Sequence, residues 1–204
     1  MREPAGTESS YTVRKFQRRR GGVITTHLSP YEVELLSSLV MQLVELVSDG
    51  EPAEFVARPE SSDPFEQLVQ GLEVDPDEPE VSEDPVLRRL FPDPYPHDSA
   101  ASSDFRRFTE RDLKATKVSE AQLVLTGLAA TDQGERELRI PRDEADSWLR
   151  TLTSVRLAVA TRLGITDAET ADRLSELPDD DPRSFMVSVY DWLGFAQETL
   201  ITAL

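Results

Sequence analysis

Side chains able to do covalent or metal chemistry are few in these 204 residues. Cysteine is absent, which removes a disulfide framework, a thiol nucleophile, a thiolate metal site and thiol redox sensing. The two histidines, His27 and His97, lie 70 positions apart, one on a predicted strand and one in the loop-like "PDPYPHD". They cannot form a metal-binding pair at helical spacing. No G-x-S-x-G elbow, no G-x-x-x-x-G-K phosphate loop and no dinucleotide fingerprint occurs. The run Asp179-Asp180-Asp181 lacks the alternating oxygen ligands and the glycine of a calcium loop and reads as a helix start. A general acid would need a perturbed carboxylate, which a sequence does not display. Neither a catalytic residue nor a metal or cofactor site is therefore assigned, and a non-enzymatic protein is expected.

What stands out instead is charge. Arg14, Lys15, Arg18, Arg19 and Arg20 place five positive charges, with no acid between Tyr11 and Ser29, in a chain of net charge −17. The remainder carries about −22. Such a chain repels nucleic acid and anionic lipid at long range, so a uniformly basic nucleic-acid binder is excluded and any such contact must be local. An arginine-rich tip can lie along phosphates or dock on an acidic protein surface, and a protein partner fits an acidic body better than free DNA does. The competing reading is that these cations pair with the chain's own carboxylates.

The element that positions them is a hairpin. "YTVRKFQR" and "VITTHL" read as strands joined at Gly21-Gly22, two residues that tolerate the positive φ of a tight turn. The chain then enters a helix through Ser29-Pro30-Tyr31-Glu32, a cap, a proline at the first helical position and a glutamate able to reach back. Leu35, Leu36, Leu39, Val40, Leu43, Leu46 and Val47 follow at helical spacing. Similar starts occur at Asp63-Pro64, Ser119 to Gln122, Thr166 to Glu169 and Asp181-Pro182.

Residues 49–98 hold nine of the fourteen prolines, fifteen acids and three basic residues, too little apolar surface to pack as a whole. A mobile acidic insert is expected there, with "PFEQLVQGL" and "DPVLRRLF" able to dock as short helices. The first ten residues are expected to be disordered. After the insert come two predicted helices separated near Lys117, a strand at "ERELRI" and a helix from about Arg142 to Leu163 with Gly164 as its C-terminal cap. A last helix, from about Arg183, is apolar on more than one side, which leaves room for a homodimer interface. Arg106, Arg107, Arg111, Lys114 and Lys117, interleaved with acids, read as a solvated helix face. Trp148, Tyr190, Trp192 and Phe195 suit core packing better than a ligand pocket.

A shift of 112 positions aligns Leu28 with Ile140, Glu32 with Glu144, Leu36 with Trp148, Val40 with Leu152 and Leu43 with Val155. Both segments read strand, turn, amphipathic helix, although any strand before a capped helix gives this pattern. A lone strand leaves its backbone unpaired, so "ELRI" is expected to complete a three-stranded sheet. The fold class is mainly α with a small antiparallel β-sheet: one domain over residues 11–204.

"RRRGGVITTHLSPYE", "LFPDPYPHDSAASSDFRRFTERDLKATK", "WLRTLTSVRLAVATRLGI" and "YDWLGFAQETL" together resemble an actinobacterial family catalogued as a domain of unknown function, number two thousand and seventeen. The resemblance spans nearly the whole chain and is weakest over the acidic insert. It implies an oxidative-stress transcription regulator acting with a sigma factor of RNA polymerase, encoded near the protease adaptor ClpS. Some members of the family act through a redox-sensitive cysteine pair; this chain has no cysteine, so the resemblance carries no such switch to any position here. The polar, acidic start "MREPAGTESS" and the interrupted stretch "LLSSLVMQLVELV" give no secretory signal and no membrane span, so a cytoplasmic location is expected. Arg14, Lys15, Arg18, Arg19 and Arg20 are the candidate contacts for a protein partner, with local DNA contact by the same hairpin as the lesser use.

Overall fold

The computed structural model describes residues 14–48 and 82–204, and the expectations for residues 1–10 and for "PFEQLVQGL" lie outside that set. Six helices and a three-stranded sheet occupy the described residues: β1 (Gln17–Arg18), β2 (Ile24–Thr26), α1 (Pro30–Val47), α2 (Pro85–Leu90), α3 (Ser99–Ala129), β3 (Leu138–Ile140), α4 (Ala145–Leu163), α5 (Ala168–Ser175) and α6 (Ser184–Ala203). The sheet is antiparallel throughout, in the order β1-β2-β3. Arg18 pairs with Ile24, and Ile24 pairs with Ile140. The third strand expected at "ELRI" is therefore present. Both glycines of the hairpin take positive φ, 87° at Gly21 and 83° at Gly22, as a reversal this short requires. The ordered strands are shorter than the alternating stretches that announced them.

The corner from β2 into α1 forms as its residues dictate. The Ser29 hydroxyl accepts from the Glu32 backbone N–H at 3.2 Å, and the Glu32 carboxylate accepts from the Ser29 N–H at 2.7 Å. Two N–H groups left orphaned by the start of a helix are thereby satisfied. Glu32 is buried, and its other oxygen accepts from the Trp192 indole N–H on α6 at 3.0 Å. A capping residue is thus also a bridge between distant elements.

Val33, Leu36, Val40, Leu43 and Val47 of α1 are buried in one core with Val118, Ala121, Val124 and Leu128 of α3, Trp148, Leu152, Val155 and Val159 of α4, and Leu193 and Leu200 of α6. Ile24, Leu138 and Ile140 of the sheet join it. The four apolar positions shared by the 112-residue echo, Leu28 with Ile140 and Leu36 with Trp148 among them, are buried in both copies. The polar position is not shared: Glu144 stands at the start of α4 without a side-chain cap.

Two expectations need correction. The helix break near Lys117 does not occur; α3 runs unbroken for 31 residues. Val118, Ala121, Val124 and Leu128 continue one helical stripe, so packing overrides the local start signal at Ser119. Asp181 does not cap α6 but holds the preceding turn, its carboxylate accepting from the Arg183 N–H and guanidinium. That pairing draws the Asp181 pKa down to about 2. On α6, Phe185 and Ile201 are exposed while Val189, Leu193 and Leu200 are buried, so that helix is apolar beyond its core side, as expected. The second island of the acidic insert does dock: Val86, Leu87 and Leu90 of α2 are buried, Asp84 caps that helix, and its other oxygen meets Arg162 of α4. No helix among the described residues is long and apolar enough to cross a membrane.

Two glycines are fixed by what they touch. A Cβ on Gly127 of α3 would lie 2.6 Å from the Trp148 ring, and one on Gly134 would lie 2.7 Å from the Leu28 carbonyl oxygen. The first seats the largest core side chain, and the second lets the turn after α3 press on the β2–α1 corner. Gly127→Ala should destabilise the fold on balance, because overpacking of about 1–3 kcal/mol exceeds the roughly 1 kcal/mol that alanine gains in a helix. Urea unfolding checks this, and the cost should shrink in a Trp148→Phe background. Gly134→Ala, which meets backbone at a φ of 86°, should lose at least about 2 kcal/mol.

Candidate functional site

The hairpin carries its five cations on a short, tightly held frame. Phe16 is buried, whereas Arg14, Lys15, Arg18, Arg19 and Arg20 are all exposed. Burial of Phe16 anchors the segment before β1 to the core, while Arg14, Lys15, Gln17 and Arg18 around it stay exposed. The Thr26 hydroxyl donates to the Arg14 carbonyl at 3.0 Å, continuing the strand contact beyond the paired residues. On the other side of the turn the Arg19 N–H donates to the Val23 carbonyl at 2.8 Å.

The cations divide by what they meet. Arg19 is the one of the five that pairs with an acid among the described residues, its guanidinium 3.2 Å from Glu137. Its Nε donates to the Thr25 hydroxyl at 3.0 Å. The Thr25 hydroxyl and the Arg19 guanidinium hold the Glu137 carboxyl below the usual range. Arg18 reaches the backbone carbonyl of Leu204, at the end of α6, at 2.8 Å. Arg14, Lys15 and Arg20 form no ion pair with a carboxylate among the described residues. Among the described residues, pairing with the chain's own carboxylates is thus met at one position in five. Exposed pairs such as Arg19–Glu137 are worth at most about 1 kcal/mol, so Arg19 can exchange its acid for another.

Beside the hairpin lies an open cleft of about 300 Å³ lined by Arg14, Lys15, Arg19, Thr25, His27 and Glu137, among others. Its three cationic side chains suit anionic groups, with Glu137 as the single opposing acid, while the Thr25 and Thr26 hydroxyls are already engaged by Glu137 and the Arg14 carbonyl. His27 belongs to this rim, while His97 is exposed near the start of α3. No group of three or more histidines and acids suited to a metal occurs among the described residues.

The aromatic residues considered as a pocket do not make one. Trp148 is fully buried, and the space bounded by Phe16, Leu36, Trp148 and Trp192 amounts to about 10 Å³, room for one water at most. Tyr190 lies under the Arg156 guanidinium at 4.3 Å. Among the described residues Glu32 is the one buried acid, and both its oxygens are engaged. The second basic cluster is not one uniform solvated face. Arg106 turns to Asp93, and Lys117 is half-buried, donating to Ser154 at 3.1 Å and lying near the Phe91 ring. Burial lowers the Lys117 pKa. Composition showed the charges; which way each side of α3 faces is decided by α4 and by residues 91–95 just before it.

Comparison with known proteins follows the same lines. A putative oxidative stress regulator AosR of Mycobacterium leprae is 30% identical over 208 residues, covering 94% of this chain and 88% of that protein. The oxidative stress regulators AosR of Mycobacterium bovis and Mycobacterium tuberculosis are 28% identical over 214 residues, covering 96% of this chain and 90% of each. No solved structure matches. A family model described as a domain of unknown function, DUF2017, matches residues 13–204, from just before the basic hairpin to Leu204, and the chain belongs to that family.

Proposed function

We propose that this protein is a non-enzymatic, cytoplasmic regulator of transcription in the response to oxidative stress, and that it acts by holding a protein partner on its basic hairpin. The carrying observation is that Arg14, Lys15 and Arg20 are exposed with no carboxylate paired to them among the described residues, on a body of opposite charge. The relatives named oxidative stress regulators, similar over nearly their whole length, support the regulatory part of this reading. The partner is a sigma factor or another subunit of RNA polymerase presenting an acidic surface. The acidic body repels free DNA, so any DNA contact is local and follows docking. The absence of cysteine means that the signal reaches this chain through its partner and not through a thiol of its own.

A carboxylate-based enzyme is disfavoured because the one buried acid among the described residues has both oxygens committed to Ser29 and Trp192. The test begins with affinity purification of the full chain from native cells, where a sigma factor or polymerase subunit should accompany it. Recovery of the protease adaptor ClpS in place of polymerase would contradict the reading. Combined replacement of Arg14, Lys15 and Arg20 by alanine should leave stability within about 0.5 kcal/mol, as surface changes do. It should weaken partner binding at least about ten-fold and flatten its salt dependence. Binding unchanged by these three substitutions would refute the hairpin as the contact.

A further inference from the structure

The N-terminal half of α3 has an outer side that the fold leaves bare. Between Ser102 and Val118 no residue of this helix is buried, a length of about four turns. Of the nine large apolar side chains exposed among the described residues, Phe105, Phe108 and Leu113 fall here, with Phe108 60% exposed, and Tyr95 lies just before the helix. Tyr95 and Phe105 meet edge to face at 6.2 Å, and Arg107 lies over the Phe108 ring at 5.5 Å. A cluster of this kind on an otherwise highly charged chain marks a contact surface.

The inner side of the same stretch is already used: Arg106 pairs with Asp93, Lys114 with Glu110, and Lys117 bonds Ser154. What remains outward is a row of Asp104, Phe105, Phe108, Arg111 and Asp112, all exposed. Asp104 and Arg111 enter no ion pair among the described residues. They stand four residues before and three residues after Phe108, one helical turn on either side.

We infer that this face pairs antiparallel with the same face of a second copy of the chain. With Phe108 on the two-fold axis, Asp104 of each helix comes within one residue's rise, about 1.5 Å, of the level of Arg111 of the other and on the same flank, while Asp112 lies on the opposite flank. The charge pattern is therefore self-complementary, as an isologous contact demands. The apolar centre is Phe108 against Phe108, flanked by Phe105 and by the Arg107 guanidinium, a combination of aromatic and arginine favoured at the centres of interfaces. A parallel arrangement would set Asp104 on Asp104 and Arg111 on Arg111 and is disfavoured. The contact is small and the two bodies repel, so the dimer is weak and gains from salt that screens the net −17.

Sedimentation of the full chain at about 100 µM tests this. Dimer should be present, should increase between low and moderate salt, and should be lost in Phe108→Ala. Asp104→Arg and Arg111→Asp should each be monomeric with unchanged circular dichroism, because each sets like charges opposite one another twice. An equimolar mixture of those two variants should restore dimer, since both pairs are then opposite in sign. A monomeric parent, a dimer indifferent to the single reversals, or a mixture that stays monomeric would each overturn the inference.

Discussion

The buried carboxylate of Glu32 is the constraint on which the geometry of the molecule turns. Removing a carboxylate from water is costly unless its oxygens find donors. Here one oxygen takes the Ser29 N–H and the other takes the Trp192 indole N–H. The start of α1 adds the positive end of a helix dipole. Charge-assisted bonds of this kind are about twice as strong as neutral ones, so a residue that elsewhere would cap a surface helix here joins the β2–α1 corner to α6 across 160 positions of sequence. Gly134 presses on the same corner from the turn after α3. Four chain segments thereby meet at one corner of the fold.

The consequence for the hairpin is positional. Its second strand ends at the clamped corner, and its first strand reaches the end of α6 through Arg18 and the Leu204 carbonyl. Both ends are tied to the same helix. Phe16, just before β1, enters the core, and Arg14, Lys15 and Arg20 stand exposed with no acid of the described residues paired to them. The total charge of the chain works in the same direction. An anionic body with one cationic projection orients an acidic partner toward that projection during encounter, while discouraging contact elsewhere.

Much of this was readable from residue order because it rests on local rules. The cap at Ser29–Glu32, the glycine turn, the strand at "ELRI" and the Gly164 cap each follow from a few neighbouring residues, and each is present. What could not be read depends on distant packing. Nothing near Glu32 announces Trp192, and a buried glutamate at a capping position looks the same in sequence as an exposed one. The start signal at Ser119 was outweighed by the stripe that buries Val118 to Leu128 on one side of α3. Phe105 and Phe108 share that helix's spacing with its core residues, and their exposure follows from where α1 and α4 stop covering it. The split of the five hairpin cations was equally hidden, since the acid that Arg19 meets lies on the far side of the sheet's sequence at Glu137.

The most direct test of this arrangement is a double-mutant cycle on Glu32 and Trp192, read by urea unfolding of the full chain. Glu32→Gln keeps the volume but leaves one acceptor oxygen for two donors, and Trp192→Phe removes the indole donor. The two changes should be coupled by at least about 1 kcal/mol, so that the double variant is more stable than the sum of the single losses implies. Losses that simply add would mean that the carboxylate serves only as a local cap, and that α6 and the hairpin are held together by something else.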